Sequence, residues 1–501
     1  MRIKVYSLVA MVLIVILTDK VAAAEVLPDK ALTLDFVISQ AFRSSDSFRE
    51  IQAGLQQINA ARLEASAVFD PHFTSSFEYQ DNKNEPTNSF QPLGERGWRS
   101  SLGLSASIAT GTSVSASLAH EKTELRFQGA PEQRYHFNRL DLKLRQSLIR
   151  DPLGVRGRDI LRSGSLRSEA SRYEILEASE NLWIMYANIF YQSWLLQKET
   201  EAASERLKRR AALESISQRR FKRGTSQSAD HLQVRAAKIS AESDLVTRKL
   251  QLMEVWRGLI HSLYLPHELL EWDPVKVLVK LDEPHIQVLE TCKNLREEDL
   301  PRTSTSLLLA DLRSQASRAT AKASRNQVRP ELTAYAIGSA GNADSKFATS
   351  VSDSLALKNK AWAVGVELEV PLFLRKERAD AISSLAYADR LAASAAQQRV
   401  STWVEFQNLC DLVSQKSKQL EAHHIVVKMQ AERERSLEKR YRIGDSSAFD
   451  VVQAGDDLSL AESALYQLEV EVRMASWKAS RIAGVLKPQI SKALQLGDGK
   501  P

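Results

Sequence analysis

The 501-residue chain is short of several things, and each shortage removes a class of protein. It has only two cysteines, Cys292 and Cys410, which cannot form a disulfide framework. They read as two free buried thiols, although an export signal would permit a bridge. Glycine and proline supply 19 and 14 residues against 26% charged residues, a balance of folded, helix-rich chains and not of disordered ones. The net charge of +6 is small for this length and gives no argument for nucleic acid. Beyond residue 25 no apolar run reaches the ~18 residues that a membrane-spanning helix requires, so a helical membrane protein is excluded.

Signatures of catalysis are missing as well. There is no G-x-S-x-G, no paired C-x-x-C, no second histidine to make a zinc helix of His267-Glu268, and no phosphate-loop spacing around Gly-Asp-Gly-Lys at 497–500. His423 and His424 are adjacent, so on a helix they do not face one another; His424 falls on an apolar stripe and reads as structural. Basic clusters at 208–210 and 219–220 read as solvated helix faces. The expectation is a protein that is not an enzyme and holds no cofactor and no metal.

What the chain does contain begins with an export signal. Arg2 and Lys4 precede an apolar run from Val5 to Leu17, and Ala22-Ala23-Ala24 offers a cleavage site before Glu25. Four long stretches are then helical. Leu161, Ile175, Leu182, Ile189, Leu196 and Ala203 keep a seven-residue spacing within 155–218. Trp403, Phe406, Cys410, Val413, Ser417, Leu420, His424 and Val427 alternate steps of three and four within 375–441. Such spacing predicts coiled-coil packing, over helices of about 100 Å. Return helices are expected at 227–263 and 447–486, and shorter ones at 32–66 and 303–328.

One segment occurs twice. Residues 219–243, RRFKRGTSQSADHLQVRAAKISAES, align without a gap on 439–463, KRYRIGDSSAFDVVQAGDDLSLAES. Gly224 and Gly444 coincide, as do Asp230 and Asp450, each six residues after its glycine. The glycines are expected to end one helix in the left-handed conformation. Ser447-x-x-Asp450 resembles a capping box that starts the next. Each half of the chain therefore carries a helical hairpin with a glycine tip.

Between the helices lie six segments of period two. Examples are Leu102, Leu104, Ala106 and Ile108, alternating with serine and glycine, and Val364, Val366, Leu368 and Val370, alternating with Gly365, Glu367 and Glu369. Each is about ten residues long, the length of a tilted membrane strand. Long polar loops are expected at 81–97, 122–134 and 342–359, and a tight turn at 109–112. A soluble antiparallel sheet would show the same alternation; the export signal and the charged residues at 139–145 and 367–369 favour a membrane barrel. Six strands cannot close a barrel of useful size, so copies must pool them.

Leu32-Thr33-Leu34 with Ala41, Phe69-Asp70-Pro71, the run Val364–Phe373 and the duplicated Arg-(Phe/Tyr)-x-x-Gly-x₅-Asp turns together resemble the TolC-like family of outer-membrane efflux proteins. The resemblance covers nearly all of the chain after the signal. It implies an α+β membrane protein with two internal repeats: a long coiled-coil-like α-helical barrel and a transmembrane β-barrel formed by trimerisation. The expected organisation is a signal peptide (1–24), a first repeat (25–264, strands about 71–147, tip at 224), a linker or equatorial collar (265–302), a second repeat (303–486, strands about 331–371, tip at 444) and a tail (487–501).

The function this implies is a homotrimeric passive duct in the outer membrane of a Gram-negative bacterium, reaching into the periplasm. Its partners would be a periplasmic adaptor, an inner-membrane pump and outer-membrane lipid. Asp230 and Asp450 would line the periplasmic constriction, with Gln453 beside them and Tyr441 latching the closed mouth by bonding the first-repeat aspartate. Gly224, Thr225, Gly444 and Asp445 would form the adaptor-docking tips. Gln453 stands where a relative has a second aspartate, and Ser446 where it has an arginine, so the acidic ring is expected to be thinner here. The family usually has four strands per subunit; the extra hairpin at 101–119 either widens the barrel to eighteen strands or lies outside its wall. The rival reading is a soluble periplasmic coiled-coil adaptor or structural protein.

Overall fold

The computed structural model describes residues 31–83, 92–127, 131–282, 285–370 and 372–494. The expected leader, Pro371 and the terminal Gly-Asp-Gly-Lys lie outside the described residues. The strands are β1 (Ala31–Thr33), β2 (His72–Asn82), β3 (Gly94–Ile108), β4 (Thr112–Arg126), β5 (Gln133–Ser147), β6 (Leu278–Lys280), β7 (Glu331–Asp344) and β8 (Lys360–Glu369). The helices are α1 (Leu34–Ser44), α2 (Asp46–Leu55), α3 (Ala60–Ser66), α4 (Val155–Lys222), α5 (Ser228–Ser262), α6 (His285–Asn294), α7 (Leu300–Thr303), α8 (Thr305–Gln327), α9 (Phe347–Leu355), α10 (Arg375–Ile443), α11 (Ala448–Ile482) and α12 (Lys487–Ala493). The chain divides into two compact units. One holds the residues up to Arg49, Asn181–Glu290 and Leu409–Lys478; the other holds Glu50–Glu180, Thr291–Asn408 and the chain from Ala479.

The second of these units carries a six-stranded antiparallel sheet in the order β2-β3-β4-β5-β7-β8. Every segment of period two has become a strand of it. Because side chains alternate, register decides what each face presents. Phe73, Leu104, Ala116, Leu142, Gly338 and Trp362 stand opposite one another in one row. The next row, Thr74, Gly103, Ser117, Asp141, Ser339 and Ala361, points the other way. The apolar face is open to the surroundings, with Phe77 72% and Trp362 79% exposed. On the polar face Arg99 pairs with Glu121 at 2.7 Å, Arg139 with Asp141 at 2.8 Å, and Arg145 with Glu367. The outer edges of β2 and β8 have no partner strand among the described residues.

The turn expected at 109–112 is present, with Gly111 at φ +75°. The strands run further than expected: β3, β4 and β5 are each 15 residues, reaching into stretches read as loop. The stretch 342–359 is not simply a loop, because α9 forms there. It is held to the sheet by polar bonds: the Asn138 amide donates to Ser350 Oγ (2.8 Å) and Ser354 Oγ donates to the Asn138 carbonyl (2.9 Å). The run 32–66 is three helices, α1 to α3, and not one.

In the other unit the helical hairpins bury one set of apolar side chains and leave others, such as Leu232, Ile239 and Val246 of α5, exposed. Phe190 and Tyr191 of α4 are fully buried. The segment after α5 packs on α4: the Tyr191 hydroxyl donates to Asp282 (2.5 Å) and the Gln197 amide to the Val277 carbonyl (2.5 Å). β6 pairs in parallel with β1. The two repeats are closely matched in length, α4 and α10 having 68 and 69 residues and α5 and α11 having 35 each. Among the described residues no helix is long and apolar enough to cross a membrane. Two expectations fail. Both cysteines are disulfide-bonded, not free. His424 lies off the buried stripe, half-exposed and 3.5 Å from Glu469.

Candidate functional site

The duplicated segments form the two hairpin tips, both in the first-described unit. At each, glycine adopts positive φ, +74° at Gly224 and +96° at Gly444, a conformation that costs a residue with a Cβ about 1 kcal/mol or more. The amide of the following residue then reaches back to the helix: Thr225 N–H to the Arg220 carbonyl (3.0 Å) and Asp445 N–H to the Arg440 carbonyl (2.9 Å). Both are Schellman closures, which satisfy carbonyls the helix leaves unpaired.

The side chains differ. At the second tip the capping box is complete. The Asp450 N–H donates to Ser447 Oγ (3.1 Å), and the Asp450 carboxylate accepts from the Ser447 N–H (3.1 Å), the Ser447 hydroxyl (2.7 Å) and the Ser446 hydroxyl (3.3 Å). The hydrogen bonds from Ser447 hold the Asp450 carboxyl below its ordinary pKa. At the first tip Gln227 occupies the cap position without a side-chain bond, and Asp230 accepts only from Ser226 Oγ (3.2 Å).

Between the tips lies a small apolar core of Leu213, Val234, Tyr441, Ala448 and Val451. Tyr441 is 1% exposed and its hydroxyl has no hydrogen-bond partner. The bond to Asp230 implied by the family resemblance is therefore not made in this chain. Its counterpart Phe221 is 43% exposed and stacks on His231 at 5.5 Å. The structure thus brings Tyr441, Gly224, Gly444, Thr225 and Asp445 to the tips, and places Asp230 and Asp450 in the first turns of α5 and α11.

Gln453, on the exposed face of α11, donates to Asp457 (2.9 Å), to which Arg433 also donates (2.8 Å). These two donors, Gln453 first, depress the Asp457 pKa. The sequence reading missed this carboxylate, although seven residues separate it from Asp450 and both fall on one helical stripe. Of the basic residues at 208–210, Lys208 is solvated as expected, but the arginines are not. Arg210 is buried, donating to the Val452 carbonyl (2.7 Å) and Asp456 (3.0 Å), while Arg209 pairs with Glu434 at 3.1 Å. A Cβ on Gly455 would stand 2.6 Å from the Glu434 carboxylate and 2.8 Å from the Arg210 guanidinium, so that glycine makes room for the ion pairs. Its signal was an unexplained glycine inside a helix pattern.

Two long helical hairpins joined to a two-faced antiparallel sheet form a fold that this chain shares with solved outer-membrane channels. The chain is similar in structure to the outer membrane protein VceC of Vibrio cholerae, at 15% identity and a TM-score of 0.65, over 90% of this chain and 96% of VceC. It is similar to the CmeC outer membrane channel of Campylobacter jejuni, at 13% identity and a TM-score of 0.66, over 92% and 89% of the two chains. For the open state of the Neisseria gonorrhoeae MtrE outer membrane channel the identity is 15%, the TM-score 0.61 and the coverage 90% and 88%. No family model matches the chain, and no curated protein matches it.

Proposed function

We propose that this chain is one subunit of a homotrimeric duct in the bacterial outer membrane, through which solute passes without chemistry from the periplasm to the outside. The observation that carries the reading is the two-faced sheet. Six strands about 4.8 Å apart, with some ten residues of apolar alternation at ~3.4 Å each, present a patch on the order of 1,000 Å². Soluble surfaces seldom expose more than a few hundred. At ~25 cal/mol per Å², leaving it in water would forgo on the order of 25 kcal/mol, more than the ~5–15 kcal/mol that holds a typical domain folded. Lipid removes that penalty, and the ion-paired opposite face suits a wet lumen.

The open edges of β2 and β8 supply the assembly. An even number of strands per copy keeps the seam between β8 of one copy and β2 of the next antiparallel, and three copies give an eighteen-stranded wall, wide enough for an aqueous channel. On α5, Leu232, Ile239 and Val246 repeat every seven residues and are all exposed. On α10, Ile425 and Met429 are exposed as well. A heterologous contact between two such stripes generates a ring when it closes. At the mouth of that ring Asp230 and Asp450, with Gln453, form the constriction, and the turns at Gly224, Thr225, Gly444 and Asp445 meet a periplasmic adaptor that links the duct to an inner-membrane pump.

The test is conductance of the purified protein in a planar bilayer, alongside gel mobility before and after heating. The expected result is a heat-labile trimer that forms stable pores whose cation preference falls in Asp450→Ala. A freely soluble monomer with no pore activity would contradict it.

A further inference from the structure

We propose that Arg220 is a latch between the two hairpin tips, and that Thr225, the residue after the first glycine, is what leaves it available. Two otherwise matched turns differ in how they hold this arginine. At the second tip Arg440 is held at home: its Nε donates to the Asp445 carboxylate (2.8 Å) and its Nη2 to the Asp445 carbonyl (3.1 Å). At the first tip the position after glycine is Thr225, which offers no carboxylate. Arg220 keeps only a long bond to the Thr225 carbonyl (3.3 Å) within its own turn.

The rest of its guanidinium crosses to the other repeat. Nη1 donates to the Tyr441 carbonyl (2.7 Å), and the guanidinium carbon lies 4.7 Å from the centroid of the Tyr441 ring. Nη2 lies 3.7 Å from where a Cβ on Gly444 would be, so the group rests against the second glycine turn itself. Each part of the contact suits a cation. The Tyr441 carbonyl belongs to the last turn of α10, the negative end of the helix dipole. The ring is buried, and cation–π attraction is stronger where water is excluded. No carboxylate lies within ion-pair distance of Arg220 among the described residues, so the latch is its principal engagement. One charge-assisted hydrogen bond and one ring contact at a surface tip can be broken by a docking partner or a competing anion, which the buried Arg210 node cannot.

That opening this latch widens the duct rests on the proposed function; that Arg220 joins the tips does not. Two readouts separate them. Spin labels on Gln218→Cys and Lys439→Cys, in a protein whose native cysteines are bonded and take no label, report the distance between the hairpins near their tips. Thr225→Asp recreates the second tip's carboxylate and should recapture Arg220. The distance is expected to lengthen and broaden in Thr225→Asp and in Arg220→Ala, less in Arg220→Lys, and no further in the double variant than in Arg220→Ala alone. Single-channel conductance should rise several-fold in the same order. Unchanged distances in both single variants would overturn the latch, as would additive effects in the double variant, which would mean that the introduced carboxylate repels something other than Arg220's partners. Longer distances in a protein that never conducts would support the latch and overturn the duct.

Discussion

The sheet and the helical hairpins draw on similar apolar side chains and place them oppositely. In the hairpins Phe190, Tyr191 and Leu213 are buried, whereas in the sheet Phe73, Leu142 and Val364 are open to the surroundings. Charged side chains follow the same inversion: Arg210 and Glu434 are buried inside the hairpins, paired with Asp456 and Arg209, while the sheet's pairs line an open face. On the proposed function, the two regions meet different solvents. The hairpins would stand in water with their exposed stripes meeting other copies, and the sheet would meet lipid on one side only.

The comparison breaks most severely if charge is placed on the apolar face. Leu142→Arg with Val364→Arg should abolish membrane assembly, since each arginine costs ~2–4 kcal/mol near the bilayer midplane, whereas Ser115→Arg on the opposite face should assemble. Recovery of heat-labile oligomer from membranes measures it. Phe190→Ala in the hairpins should instead lower thermal stability, by about 3–5 kcal/mol, while leaving membrane partitioning intact.

Next in size is a pH effect confined to the helices. Burial pushes the Glu180 carboxyl up to about 7, although Thr305 donates a 2.6 Å bond to it. A carboxyl raised in the folded state binds its proton more tightly there than when unfolded. Stability should therefore fall as pH rises from about 4.5 towards 7, by up to roughly 3 kcal/mol. Glu180→Gln should flatten that slope in denaturation curves. The smallest effect compares the tips. Ser447→Ala should cost ~1 kcal/mol at neutral pH. Because the Asp450 pKa is depressed, that loss should shrink in acid, as pH falls through the folded-state value. Gln227→Ala, which removes no cap bond, should cost almost nothing.

Much of this was legible because it is periodic or local. The alternation predicted all six long strands, and the glycines and Ser447-x-x-Asp450 predicted both tips. What escaped depends on partners distant in sequence. The strand extensions carry Arg96, Glu124 and Arg134, where apolar alternation stops but pairing continues. Helix α9 is only nine residues long, and its short stripe of Phe347, Val351 and Leu355 is set among serines and threonine; Asn138, more than two hundred positions earlier, helps hold it in place. The α10 stripe drifts, burying Phe406 and Val413 but not His424, as expected when a 3.5-residue pattern is laid on a 3.6-residue helix. The direction taken by Arg220 follows from Tyr441, which only the folded hairpins bring near.

Strand β5 alone can distinguish a lipid-facing sheet from a soluble one. Single cysteines placed in turn at positions 139–145 of β5, in intact outer membranes, can be challenged with a membrane-impermeant maleimide. The account predicts labelling of period two: Arg139, Asp141, Lys143 and Arg145 positions react, while Leu140, Leu142 and Leu144 positions are shielded by lipid. Uniform labelling of both sets, or recovery of the protein from the soluble periplasmic fraction, would contradict it.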